Sequence, residues 1–227
     1  MNSIMPNQKN IQTKNLKIPS FWHFGKNVIG LKESVTSYIK RLPLSLPASP
    51  EIFESGCGNG TISLSFLERW PDAHFVATET DGWMLLAAAR AAQKKGISTD
   101  KLELGEADMN NPQIITFLDR EESIRLRPES FDLIITSTAL ERTDLEASLP
   151  VLLRLLKPGG YFMNFGVRGN IVGKILSFFY HFSIVPETTL SDALKVNRCT
   201  DIREFSFAFD EFPASVLFKG TLAQKMN

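Results

Sequence analysis

The sequence predicts an α/β protein, with a single doubly wound, Rossmann-like domain around a seven-stranded, mainly parallel sheet and one late antiparallel strand. Three observations carry this expectation. Short apolar or alternating runs, "EIFESG", "HFVATE", "KLELGEAD", "FDLIITS" and "GGYFMNFGV", are separated by segments of helical periodicity. The junction after the first run, "ESGCGNG", puts glycines at 56, 58 and 60, where a strand passes into a helix. Near the end, "EFSFAFD" and "SVLFKGTLAQ" read as two strands linked across Phe212-Pro213, too closely for a helix or a parallel crossover between them.

Each element follows from local pattern. Residues 1–20 are polar, without the continuous apolar stretch of a signal peptide, and read as a flexible tail before a domain at 21–227. Val28, Leu31, Val35, Tyr38 and Ile39 recur at helical spacing ahead of prolines 43, 47 and 50. "TISLSFLERW" is a helix ended by Pro71, and "GWMLLAAARAAQKKG" one that stops at Gly96. A further helix is expected near "PQIITFLDREE", and another over "LEASLPVLLRLLK".

Composition narrows the function classes. Among 227 residues, 25 Lys+Arg balance 25 Asp+Glu, so no net charge draws the chain to nucleic acid, and none is expected as a partner. Cys57 and Cys199 are far apart and His23, His74 and His181 are single, which supports neither a disulfide framework nor a metal site. A soluble cytoplasmic protein is the expectation.

Glycine is costly in ordered backbone unless φ is positive or another group approaches closely. Three in one turn, at the carboxyl end of a strand, point to a ligand held against bare main chain. A dinucleotide fingerprint would place its last glycine where this sequence has Thr61, and Glu54 puts at the loop mouth a carboxylate that repels pyrophosphate and attracts an ammonium.

"FESGCGNG" resembles the first motif of class I S-adenosylmethionine-dependent methyltransferases of the small-molecule, type 11/12-like kind. The similarity continues in order through "VATETD", "GEADM", "FDLIITSTAL" and "LLKPGGYF", across about 51–167. The resemblance implies S-adenosyl-L-methionine as cofactor, with S-adenosyl-L-homocysteine as product. It implies that Gly56, Gly58 and Gly60, with Cys57 as small filler, line the methionine and ribose portion, and that Glu54 lies beneath them. Glu79 matches the acidic residue that takes both ribose hydroxyls, in the fork geometry a carboxylate provides. Thr80 and Trp83 would flank the adenosine, with Trp83 equally a core residue. Asp108 matches the adenine-amino acceptor or else caps a helix, Met109 would lie on the ring, and Thr136 and Ser137 match the segment at the methionine moiety.

The implied chemistry is direct displacement of a sulfonium methyl, in which alignment and a dry cavity matter more than any single catalyst. Where related enzymes often carry histidines after the fourth strand, this sequence has Glu141-Arg142. Glu141 would orient or deprotonate a substrate, or else solvate a loop; His23, Tyr180 and His181 are the other catalytic candidates. A small-molecule acceptor is expected, since the Asn/Asp-Pro-Pro-aromatic block of enzymes acting on DNA or glutamine side chains is absent from "TSTALE". Two alternatives stay open: a nicotinamide-dependent oxidoreductase and a non-catalytic cofactor-binding partner subunit.

The substrate side would come from about 21–42 and 168–198. Ile171, Ile175, Phe178, Phe179 and Phe182 fall broadly on one face of a helix, beside Val172 and Leu176. Three readings apply: a core-facing crossover helix, an apolar roof over the acceptor formed with "FWHFG", or a shallow membrane-surface contact through 171–185. The roof reading favours apolar, aromatic or lipid-like acceptors.

Overall fold

A computed structural model describes residues 30–227. Tail residues 1–20, His23 and "FWHFG" therefore lie outside the described residues. The first described helix, α1 (Leu31–Arg41), buries Leu31, Val35, Tyr38 and Ile39, the stripe its periodicity predicts. Then come β1 (Glu51–Ser55), α2 (Thr61–Arg69), β2 (His74–Glu79), α3 (Gly82–Lys94) and β3 (Leu102–Glu106). The hairpin β4 (Ile114–Phe117) and β5 (Ser123–Arg125) precedes β6 (Phe131–Ser137), α4 (Leu145–Leu155) and β7 (Leu156–Val167). The chain closes with α5 (Ile171–Tyr180), α6 (Glu187–Val196), β8 (Cys199–Ser206), the short α7 (Ala214–Leu217) and β9 (Phe218–Lys225).

The described strands form one nine-stranded sheet, in the order β5-β4-β3-β2-β1-β6-β7-β9-β8. The expectation of seven strands is corrected by the hairpin. "PQIITFLDREE" is not a helix: Ile115 and Phe117 point inward and alternate with half-buried neighbours, the period of a strand. Gly105, having no side chain, lets Ile115 lie directly against β3, so β4 adds antiparallel to that strand. A second correction concerns the link between the last two strands, which holds the one-turn helix α7 after Pro213. Strands β8 and β9 do pair antiparallel, and β9 pairs antiparallel with β7, as the short link requires.

The remaining neighbours, β3-β2-β1-β6-β7, are parallel and covered on both faces. On one face α1, α2 and α3 bury Tyr38, Phe66 and Leu85 against Ile52, Phe75 and Phe165. On the other, α4 and α6 bury Leu149, Leu152, Leu190 and Leu194 against Phe53, Ile134 and Phe162. Each such side chain, fully removed from water, contributes about 1.5–3 kcal/mol before conformational entropy is charged against it. Strand order turns outward in both directions from β1 and β6, which makes their carboxyl ends the switch point where sheets of this kind take ligands.

Candidate active site

The glycine loop sits at that switch point. Gly56 (φ 82) and Gly60 (φ 76) occupy the left-handed region, which a side chain penalises. Space forbids one as well: a Cβ at Gly56 would meet Ala139 Cβ at 2.8 Å, and at Gly60 it would meet Ala88 Cβ at 3.0 Å. The first glycine thus lets the segment after β6 close on the loop, and the last lets α2 pack on α3. Main-chain bonds from Gly56 N–H (2.8 Å) and Cys57 N–H (2.9 Å) to the Thr78 carbonyl tie the loop to β2. Cys57 is buried and burial pushes its thiol well up, in keeping with a filler and not a nucleophile.

Glu54 is fully buried beneath the loop. Ser63 Oγ donates to its Oε2, while Oε1 has no hydrogen-bond partner. Burial pushes its carboxyl up to about 7, opposed by the Ser63 hydrogen bond and reinforced by the charge of Glu79. A buried acceptor without a donor is costly, and a ligand cation or N–H would satisfy it.

Glu79 closes β2 at the edge of the same loop. Its Oε2 accepts from Gly58 N–H at 3.0 Å, and its Oε1 from Thr80 N–H at 2.8 Å and Asp81 N–H at 3.2 Å. The carboxylate is half-buried and retains acceptor capacity on Oε2. Thr80 is exposed, and Trp83 is half out of water on the first turn of α3, so it is not a core residue. Asp108 lies two residues beyond β3 and accepts from Asn110 N–H at 2.8 Å; this closes a turn, not a helix cap. Met109 reaches the loop, with its sulfur 3.1 Å from Ser55 Oγ.

At the end of β6, Thr136 Oγ1 donates to Asn164 Oδ1 on β7 at 2.8 Å, and Ser137 is buried beside Gly56. The main chain then turns through Thr138 at φ 50 into the single 3-10 turn Leu140–Arg142. Glu141 on that turn is not solvated: it is 4% exposed. Its Oε1 accepts Val167 N–H at 2.9 Å, its main-chain carbonyl accepts Ser183 N–H at 3.0 Å, and Oε2 has no partner. Burial raises this carboxyl to about 7, opposed by the Val167 N–H and by the charges of Lys219 and Arg142.

The other described candidates lie at the carboxyl end of α5. Tyr180 is half-buried at the end of α5 and packs on the core, while His181 is exposed at φ 49 as the helix cap. Among the described residues, no three His, Cys, Asp or Glu side chains are grouped to hold a metal ion. Sequence reasoning passed over Ser63, Asn164 and Lys219. Asn164 had a visible signal, as the one polar side chain within "YFMNFGV". The other two become informative only when helix α2 and strand β9 bring them to buried carboxylates.

Residues 53–162 match a family model described as a methyltransferase domain. Geranyl diphosphate methyltransferase in complex with SAM superposes with a TM-score of 0.66 at 11% identity, over 86% of this chain and 85% of that one. Residues 53–162 are thus a methyltransferase domain, in the class I fold of S-adenosylmethionine-dependent enzymes. Geranyl diphosphate C-methyltransferase from Streptomyces coelicolor, in complex with Mg2+, geranyl diphosphate and S-adenosyl-L-homocysteine, gives a TM-score of 0.67 at 11% identity, covering 86% and 81% of the two chains. At that identity both likenesses are of fold.

Among curated relatives, the biotin biosynthesis bifunctional protein BioCD of Bordetella avium is 31% identical over 119 residues, 52% of this chain and 22% of its own. Malonyl-[acyl-carrier protein] O-methyltransferase of Acetivibrio thermocellus is 23% identical over 150 residues, 66% of this chain and 46% of its own. The chain spans less than half the length of these curated relatives.

The family's cofactor, S-adenosylmethionine, fits the donor set. It brings an ammonium, a pair of ribose hydroxyls and a methionine chain ending in a sulfonium; the loop offers the unpartnered Glu54 Oε1, the Glu79 carboxylate and main chain stripped of Cβ atoms. No described helix is long and apolar enough to cross a membrane.

Proposed function

We propose that the chain catalyses methyl transfer from S-adenosylmethionine to a small acceptor by direct displacement. The observation that carries this is the pairing of a glycine loop in left-handed geometry with a wholly buried glutamate, Glu54, whose Oε1 lacks a donor. When bound, the donor supplies a methyl group already activated as a sulfonium.

The residues would act as follows. Gly56, Gly58 and Gly60 let main chain lie along the methionine and ribose portion, with Cys57 filling the loop, and Glu54 answers the ammonium from below. Glu79 accepts ribose hydroxyls, with Thr80 and Trp83 beside them. Asp108 and Met109 address the adenine, and Thr136 and Ser137 border the methionine moiety. Nothing in the fold or the likenesses favours the nicotinamide or partner-subunit reading.

For the acceptor, α5 supports an apolar wall. Ile171 (78%), Phe178 (75%) and Phe179 (67%) face outward, with Ile175 half exposed, while Leu176 and Phe182 pack inward. The core-facing reading thus holds for Leu176 and Phe182 alone. An outward aromatic face next to the carboxyl end of β7 suits an aromatic or lipid-like acceptor.

Calorimetry with S-adenosylhomocysteine and with NAD in parallel tests the donor: binding of the first and not the second is expected, and the reverse would replace this reading. A screen of acceptor classes with radiolabelled methyl donor then tests turnover, for which small apolar or aromatic acceptors are expected to be labelled ahead of proteins and nucleic acids.

A further inference from the structure

The outward face of α5 gathers apolar surface that the packing of the sheet does not use. At about 3.6 residues per turn, its exposed arc runs from Lys174 through Phe178, Ile171, Ile175 and Phe179 to Val172. Gly173 and Leu176, on the opposite arc, are buried and hold the helix to the core. Phe178 and Phe179 lie edge to face with ring centroids 5.6 Å apart, so their rings form one continuous surface. Lys174, exposed at the rim of the arc, carries the only charge on the helix.

Charge around this face has one sign. Residues 168–186 hold Arg168 and Lys174 and no Asp or Glu; residues 1–29 hold Lys9, Lys14, Lys17 and Lys26 and again no Asp or Glu. The whole chain balances 25 Lys+Arg with 25 Asp+Glu, so the remainder is acidic in sum.

Both basic stretches meet the fold near α7. At Gly30, where residues 1–29 join, a Cβ would lie 3.4 Å from the Phe212 carbonyl oxygen, and Ser34 Oγ donates to that oxygen at 2.7 Å. Pro213 then leads into α7. There the Val216 carbonyl accepts Asn170 Nδ2 at 2.9 Å and the Leu217 carbonyl accepts Arg168 N–H at 2.9 Å, at the start of α5. Asp210, the exposed carboxylate of the loop before Pro213, is set against the charge of Arg41.

We propose that α5 docks the protein on a bilayer surface with anionic headgroups, Phe178 and Phe179 entering the acyl boundary and Lys174 meeting the headgroups. An apolar face and a basic segment are the two signals that together hold a protein at such a surface, where either alone binds weakly. A second copy fits less well, because a twofold contact through α5 would set the same basic residues against themselves. Helix α5 begins just beyond β7, at the end of the parallel strands where the glycine loop leaves β1. The inference rests on the methyl-transfer reading for its purpose: docking turns the donor side of the sheet toward a lipid-like acceptor held in the bilayer.

The test sediments the full chain with vesicles of phosphatidylcholine alone, and with vesicles of phosphatidylcholine and phosphatidylglycerol in equal parts. Binding to the mixed vesicles is expected to exceed binding to the neutral ones by at least about tenfold and to weaken with added salt. Replacing Phe178 and Phe179 with serine should lower binding to the mixed vesicles by at least about tenfold. K174E should lower it by about fivefold or more, on the mixed vesicles alone. Urea unfolding of each variant, expected unchanged, shows that docking and not folding is lost.

Absence of binding to the mixed vesicles, or binding that survives the loss of both phenylalanines, overturns the proposal. A dimer in sedimentation equilibrium that the serine variant abolishes would give the face to a second copy and overturns it equally. Vesicle binding is read without the methyl donor. A failure of S-adenosylhomocysteine to bind would therefore remove the methyl-transfer reading and leave the docking result standing.

Discussion

The two sides of the switch point answer their polar groups differently. Around β1–β3 the carboxylates that border the glycine loop are engaged by neighbours in sequence or on the adjoining strand, Glu79 by Gly58, Thr80 and Asp81, and Asp108 by Asn110, with Glu54 Oε1 beneath the loop the exception. Around β7 and α5 the arrangement is open. Five large apolar side chains of α5 face outward, and Glu141 keeps a buried oxygen without a partner. A donor that is one fixed molecule allows a pre-assembled cradle. The acceptor site proposed there must admit and release its ligand, and surfaces left for the ligand to complete suit that task.

The sharpest way to break this contrast is at the glycines. Gly56→Ala places a Cβ 2.8 Å from Ala139 Cβ at a positive φ, whereas Gly169→Ala meets nothing within 4 Å. Urea unfolding should show a loss of about 2–4 kcal/mol for the first, from backbone strain and overpacking together, and within about 0.5 kcal/mol for the second. Equal losses would mean the loop is not the tight element described.

Next in size is the pH dependence. Glu54 and Glu141 are both raised from 4.5 to about 7 by burial. Between those values the folded chain holds protons that the unfolded chain has released. Stability should therefore decline as pH rises from about 4.5 to about 7 and level off above, by up to about 3 kcal/mol per group. Unfolding curves across this range check it, and the double variant E54Q/E141Q should flatten the slope. A flat profile would place both carboxylates in water, and a slope of opposite sign would mean that the fold holds them charged.

Glu79→Ala addresses the donor side alone. Removing a two-point hydroxyl contact should weaken S-adenosylhomocysteine by about 2 kcal/mol, roughly thirtyfold, in calorimetry. Unchanged affinity would leave Glu79 a loop-bracing residue only. The smallest stability effect belongs to the open half: replacing Phe178 and Phe179 with alanine should cost within about 0.5 kcal/mol of folding, since both face water. The same pair should weaken acceptor binding and spare the donor; equal loss of both would remove α5 from the acceptor site.

Much of the donor half was legible in the chain because its logic is local. The spacing of Gly56, Gly58 and Gly60 and the acidic residues closing successive strands depend on a few consecutive residues whose backbone demands no partner can change. The hairpin β4–β5 was misread as a helix because "IITF" satisfies either period over so short a run, and its pairing with Gly105 decided for strand. Glu141 was legible as a position and not as an environment: a charged residue after a strand reads as solvated until Val167 and Ser183 are seen to bury it.

By itself the sequence determined the alternation of strands and helices, the ligand loop and the balance of charge, all of which follow from periodicity and backbone chemistry within one segment. Only the tertiary structure decided which carboxylates lose water, which face of α5 turns outward and that Asn164 and Glu141 close together over Gly166. Burial and hydrogen-bond completion are set by segments far apart in the chain, and desolvation has no counterpart in a linear string.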